Sequence, residues 1–266
     1  MNTKLLYKKI YKLQRRVTAV IFYPLTFLDE GGLKNFLRSL ILKFQHSLPI
    51  ELVVNRGDTV VQIGTPWPRT IDRFLKAIGS NGRLIVFEAN PHNFYNLKAH
   101  ISSNSIGNAT VIHAAVCNSN GTGELSLSAS HDGDHKIDLS DISMDNDLRI
   151  GNEEMEKVTV PFVRIDDALR QLDIMVFDYL SVTVNGAEIE VIKGAAETLD
   201  RTGVGARVYA KGHALNASGE AINTELAIRL QSLGFVTAIT KGENSSSDDG
   251  KWLKRAGDVF AWKRRI

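Results

Sequence analysis

The chain has 266 residues, 43% of them apolar and 23% charged, enough to bury one large α/β core or one domain with a small appendage. A single cysteine, Cys117, excludes an intrachain disulfide and a multi-cysteine metal centre, and no apolar run is long enough for a conventional transmembrane helix. The formal charge of +2 is unevenly divided: residues 1–46 hold nine Lys/Arg against Asp29 and Glu30, which leaves the remainder at −5. An acidic main domain argues against nucleic acid as a general partner, and one cysteine suits a reducing cytoplasm.

Residues 4–23 place Leu6, Ile10, Leu13, Val17 and Val20/Ile21 at helical spacing, with Lys4, Lys8, Lys9, Lys12, Arg15 and Arg16 mostly on other faces. Pro24 is expected to end that helix. Two readings of it stay open, peripheral binding to an anionic membrane surface and docking of its apolar stripe on the domain. A secretory signal fits less well, because no small-residue cleavage site follows. Beyond Gly31 and Gly32, a second stripe of Leu33, Phe36, Leu37, Leu40, Ile41 and Phe44 predicts a helix packed on the core. Residues 1–46 thus read as a basic helical extension and 47–266 as an α/β domain.

Strand patterns fall at 59–63, 83–87, 109–113, 176–184, 206–211, 234–240 and 258–263. Helical patterns at 68–79, 91–103, 187–199 and 220–233 lie between several of them, which predicts a mostly parallel sheet with helices on both faces. The last two strands suit a closing hairpin whose loop includes Asn244–Gly250. Short runs at 123–128 and 158–163 flank a polar insertion, 129–157, too long for a simple connection.

Val60-Val61-Gln62-Ile63-Gly64 and Arg83-Leu84-Ile85-Val86-Phe87-Glu88 are the chemically informative runs. A strand that breaks at glycine, followed by a helix and a second strand ending in an acid, is how a nucleotide pocket is built. The glycine lets backbone approach the ligand and the carboxylate accepts from ribose hydroxyls. Only one glycine stands where dinucleotide sites carry three, so a nicotinamide enzyme is disfavoured. His131-Asp132-Gly133-Asp134-His135 lacks the fixed spacing of a zinc site, and no metal is assigned to it. His135 reads instead as an acceptor-side base on a lid. His113 suits a satisfied core position, His213 an ordinary loop and Cys117 a small inert hydrophobe.

Three blocks resemble the FkbM family of S-adenosylmethionine-dependent methyltransferases. The first is Gly57–Gly64 with Asn81–Phe94, which includes Phe87-Glu88-Ala89-Asn90-Pro91. The second is Asn108–Val116 with Gly121–Leu125. The third is Val163–Leu169 with Asn185-Gly186-Ala187-Glu188-Ile189-Glu190-Val191-Ile192-Lys193-Gly194-Ala195. The resemblance implies a Rossmann-like class I methyltransferase fold, with a seven-stranded sheet whose last strand is antiparallel. It also implies S-adenosylmethionine as cofactor and methyl transfer to a hydroxyl of a small-molecule or glycan acceptor. Gly64, Glu88, Asn90 and Ala115 are then the expected cofactor residues, and His135 and Thr183 the expected catalytic ones.

Departures from the family pattern cluster at the pocket. The acid of D-x-G-A-N-x-G is Gln62 here, and its small-residue turn is Thr65-Pro66-Trp67-Pro68, where the tryptophan is expected to fill space beside the cofactor. The K-I-D-V-E-G string is Ser181-Val182-Thr183-Val184-Asn185-Gly186, neutral at all three charged positions. Two functions therefore stand side by side, an O-methyltransferase and a non-catalytic binding or assembly module on the same scaffold.

Overall fold

The structure, a computed structural model, describes residues 23–27, 32–42, 48–65, 67–127, 136–137, 156–203, 205–212, 214–216, 218–240, 242, 244–246, 252–254 and 256–263. The basic pattern of residues 4–22, the 131–135 constellation with His135, and His213 lie outside these.

A 3-10 turn, Tyr23–Phe27, α1 (Gly32–Leu42) and the one-turn α2 (Ile50–Val53) precede β1 (Thr59–Ile63). Then come α3 (Pro68–Ile78), β2 (Arg83–Glu88), α4 (Pro91–Ser103) and β3 (Ala109–His113). Four strands follow: β4 (Ala115–Val116), β5 (Gly121–Leu127), β6 (Lys136–Ile137) and β7 (Glu156–Val163). The chain continues through α5 (Ile165–Gln171), β8 (Tyr179–Val182), α6 (Glu188–Gly194), α7 (Ala196–Arg201) and β9 (Arg207–Ala210). It ends with α8 (Asn223–Ser232), β10 (Val236–Ile239), β11 (Asn244–Ser246), β12 (Trp252–Lys254) and β13 (Val259–Trp262).

Seven strands form one sheet in the order β10-β13-β9-β8-β1-β2-β3. β9, β8, β1, β2 and β3 run parallel, and β13 is antiparallel to both of its neighbours. The central strands are apolar at almost every position because both faces are covered. Val60, Leu84, Val86, Tyr179 and Phe260 meet Ile71, Phe74, Ile78 and Leu97 of α3 and α4 on one side. Val61, Ile63, Ile85, Phe87, Leu180 and Val208 meet Ile165, Leu169, Val191, Leu199 and Leu230 of α5–α8 on the other. A four-stranded sheet, β4-β7-β5-β6, joins β5 and β7, the runs that flank the insertion, to β4 and to β6 within the insertion itself.

Several elements differ from the sequence reading. The 187–199 pattern is two helices that meet at Ala195, and the tail hairpin β10–β13 carries a β11–β12 ribbon inside its loop. The largest correction concerns α1. Its stripe is only partly inward: Leu37 and Ile41 are half-buried, but Leu33, Phe36 and Leu40 are 58%, 62% and 42% exposed, while Lys34 and Arg38 point inward. Arg38 donates from Nε and Nη2 to the Leu52 carbonyl at 2.9 and 2.8 Å, and Lys34 Nζ donates to Asn55 Oδ1. A one-turn helix leaves its last carbonyls without intrahelical donors, and a guanidinium fork satisfies such a group well. That polar demand sets the helix's orientation over its apolar stripe.

At the base of the sheet Arg207 Nη2 lies 2.6 Å from Asp58 Oδ2, the side chains being 1% and 9% exposed. The pair links the start of β9 to the residue before β1, across β8. Replacing Asp58→Ala strands a buried guanidinium and is expected to lower stability by about 3–5 kcal/mol. The double variant Asp58→Leu/Arg207→Met should recover most of that loss; urea melts of the three proteins measure both changes.

Candidate functional site

Parallel strands leave a crevice beyond their carboxyl ends, and ligands of open α/β sheets bind there. In this protein the crevice lies over β3, β2, β1 and the segment after β8, and it encloses roughly 570 Å³, part of it open to solvent. Gly64, Glu88, Asn90, Ala115 and Thr183 all line it. Five candidates spread over 120 residues of sequence therefore meet in one cleft. His135 is outside the described residues.

Gly64 follows β1 at φ +71°, and a Cβ there would stand 2.8 Å from the Thr183 carbonyl oxygen. Glycine is thus required by the approach of two chain segments as well as by any ligand. Glu88, 6% exposed, ends β2. Its Oε2 accepts from Thr65 N at 3.1 Å and its Oε1 from Asn90 N at 2.9 Å, so one carboxylate fixes the turns after both strands. Burial raises its pKa, and the backbone donors of Asn90 and Thr65 oppose that shift. The Asn93 side chain and the Ala89 amide also hydrogen-bond to it, so a ribose hydroxyl would share these oxygens with protein donors.

Asn90 is the N-cap of α4: its Oδ1 accepts from His92 N at 2.8 Å and Asn93 N at 3.3 Å, with Pro91 at the first helical position. Ala89, Ala114, Ala115, Val116 and Leu125 make an apolar slot next to Glu88. Small side chains there leave room for a flat base. His113 is a packing residue, with its ring 5.0 Å from that of Phe94 and Nε2 3.1 Å from the Ala89 carbonyl. Trp67 does not fill the pocket. It is 43% exposed and not among the residues that line the cleft, and Arg69 sits over its ring at 4.8 Å.

The opposite end of the cleft is polar but neutral. Gln62 Nε2 donates to Thr183 Oγ1 and to the Gly64 carbonyl, both at 2.8 Å. Thr183 Oγ1 lies 2.5 Å from the Gly64 oxygen and 3.0 Å from that of Ile63, so its single proton is committed to the backbone. Among the described residues that line the cleft, Glu88 alone is charged. Asn93, Thr65 and Leu125 were not singled out from sequence; Leu125 arrives from the second sheet, beyond the reach of local pattern.

Glu188 lies behind the cleft floor, 1% exposed, its Oε2 accepting from Gly186 N at 2.9 Å. Burial pushes its pKa from 4.5 up to about 8, against the opposing charge of Lys211. The folded protein therefore holds a proton there that the unfolded chain has released. Stability from the neutral carboxyl is complete below pH 4.5 and is lost as pH rises through about 8. Glu188→Gln is expected to flatten this slope, with the variant gaining on wild type from pH 5 to 8 in thermal melts.

Residues 52–236 match the family model described as Methyltransferase FkbM domain. No curated protein matches the chain. Distant likenesses among solved structures include fibrillarin from Aeropyrum pernix with bound S-adenosyl-L-methionine, at 14% identity, 85% of this chain, 74% of that one and TM-score 0.45. Others are precorrin-6y C5,15-methyltransferase from Geobacter metallireducens, at 11%, 78%, 82% and 0.42, and the O-methyltransferase TomG from Streptomyces achromogenes, at 11%, 78%, 74% and 0.39. With the family match spanning more than two thirds of its length, the chain belongs to the FkbM methyltransferase family, whose cofactor is S-adenosylmethionine.

Proposed function

We propose that the protein transfers a methyl group from S-adenosylmethionine to a hydroxyl of a carbohydrate or related metabolite. The observation that supports this most directly is Glu88, placed at the strand-end crevice beside an apolar slot, as the one charged group among the described residues that line it. The sulfonium supplies an electrophilic methyl, and the protein's task is to hold an acceptor oxygen in line with it and to remove its proton. Thr183 shapes the floor of the cleft through its backbone bonds. His135, on the insertion between β5 and β6, is the proposed acceptor-side base. A non-catalytic module on the same scaffold is the second reading, favoured by the self-paired Gln62 and Thr183.

Calorimetry with S-adenosylmethionine and S-adenosylhomocysteine tests the first reading. Binding near micromolar, about −8 kcal/mol, supports it, and Glu88→Ala should weaken that binding at least tenfold, about 1.4 kcal/mol. Absence of heat and of a thermal shift at millimolar ligand would leave the module reading. In an active protein, His135→Ala is expected to lower kcat by about 10²–10⁴ with cofactor affinity unchanged.

We also propose peripheral attachment to an anionic membrane surface through residues 4–23. The outward Leu33, Phe36 and Leu40 of α1 and the basic surplus of residues 1–46 support it. No helix among the described residues is long and apolar enough to cross a membrane. The full chain should cosediment with vesicles containing phosphatidylserine and lose that property when residues 1–28 are removed; recovery of both proteins in the supernatant would sink the idea.

A further inference from the structure

The cleft has two chemically different ends, and the order of the strands fixes their separation. Glu88 lies at the end of β2, the apolar slot extends toward β3 and β4, and Gly64 and Thr183 lie on the other side, after β1 and β8. Neighbouring strands are about 4.8 Å apart, so Glu88 and Thr183 are separated by roughly 10 Å. A nucleoside with its ribose on Glu88 and its base in the slot must project its 5′ substituent toward Gly64 and Thr183. In S-adenosylmethionine that substituent carries an ammonium and a carboxylate. The ammonium brings three donors and seeks acceptors, best of all an acid.

Protein donors already occupy the backbone acceptors at that end. The Gly64 carbonyl takes Gln62 Nε2 and Thr183 Oγ1, which fills both lone pairs. The Ile63 carbonyl takes Thr183 N at 2.9 Å and lies within reach of the same hydroxyl and amide. Thr65 N, a donor that might otherwise meet the carboxylate, is held by Glu88. Gln62, 2% exposed and just behind the lining, bonds Thr183 Oγ1 across 121 residues of sequence, and neither brings charge. Val184, Asn185 and Ala187, which complete this wall, are uncharged as well.

We infer that the cleft selects its ligand by the thionucleoside half, and that the amino-acid tail adds little affinity. The ligand class is adenine thionucleosides, with 5′-methylthioadenosine bound about as well as S-adenosylhomocysteine. Gln62 and Thr183 are the residues that set this specificity. The inference rests on the cofactor reading of the cleft given above.

Titration of the full chain with S-adenosylhomocysteine and 5′-methylthioadenosine, two neutral thioethers that differ by the tail, tests it directly. Dissociation constants within about fivefold of each other are expected, since no charged partner for the tail stands among the described residues at that end of the cleft, and such a bond would separate them by roughly ten- to hundredfold. A larger preference for S-adenosylhomocysteine would overturn the inference and leave the cofactor reading intact. Binding of neither compound would remove the cofactor reading and the inference together. In Gln62→Asp, folded as judged by circular dichroism, the preference for S-adenosylhomocysteine should rise by about tenfold or more with affinity for 5′-methylthioadenosine unchanged. An unchanged ratio in that folded variant would overturn the assignment to Gln62; if the variant does not fold, the wild-type ratio decides.

Discussion

The close approach of the chain after β1 to the chain after β8 is the constraint on which the rest of the site depends. With a glycine at 64, the Thr183 carbonyl can come nearer than any Cβ would tolerate. That proximity brings Gln62, Thr183 and two backbone carbonyls into a single hydrogen-bonded knot. It closes the floor of the crevice at the point where the central strands end. Glu88 does the equivalent work one strand over, since its two oxygens hold the turns after β1 and β2 in fixed relation. A single buried carboxylate thus sets the shape of the crevice where β1 and β2 end.

Both halves of this arrangement draw on buried polar side chains paired inside the protein. Asp58 and Arg207 tie the amino ends of the strands, while Glu88 and the Gln62–Thr183 knot tie the carboxyl ends. Apolar side chains fill the space between, on both faces of the sheet. The polar ties fix which strand ends stand side by side, something non-directional packing does not specify.

The sequence carried the parts of this fold whose signals are local. Asn90-Pro91 is a cap followed by the residue best suited to a first helical position, and α4 begins there and runs to Ser103 as its periodicity indicates. Val60–Ile63 and Arg83–Phe87 were legible as buried strands, and the strand-end glycine and acid as lining of one crevice. Signals that depend on distant partners were not legible. The apolar period of 187–199 runs unbroken through Ala195, although the chain there changes from one helix to another. The α1 stripe suggested an inward face, but the unsatisfied Leu52 carbonyl turned Arg38 inward instead. Substitution of neutral residues at 62 and 183 was visible in the sequence; their bond to each other was not.

The walls of the crevice come from two separate sheets. The large sheet supplies Gly64, Glu88 and the segment after β8, whereas β4 and β5 of the small one supply Ala115 and Leu125. The described strands on either side of the insertion, β5 and β7, belong to that small sheet and make no ladder with the central ones. The wall that sheet supplies rests on its own apolar cluster of Ala115, Leu125, Val160 and Ala187, apart from the clusters that pack the large sheet. A change of length between β5 and β7 would therefore reach the crevice through one wall only, while the ends of the central strands keep their places.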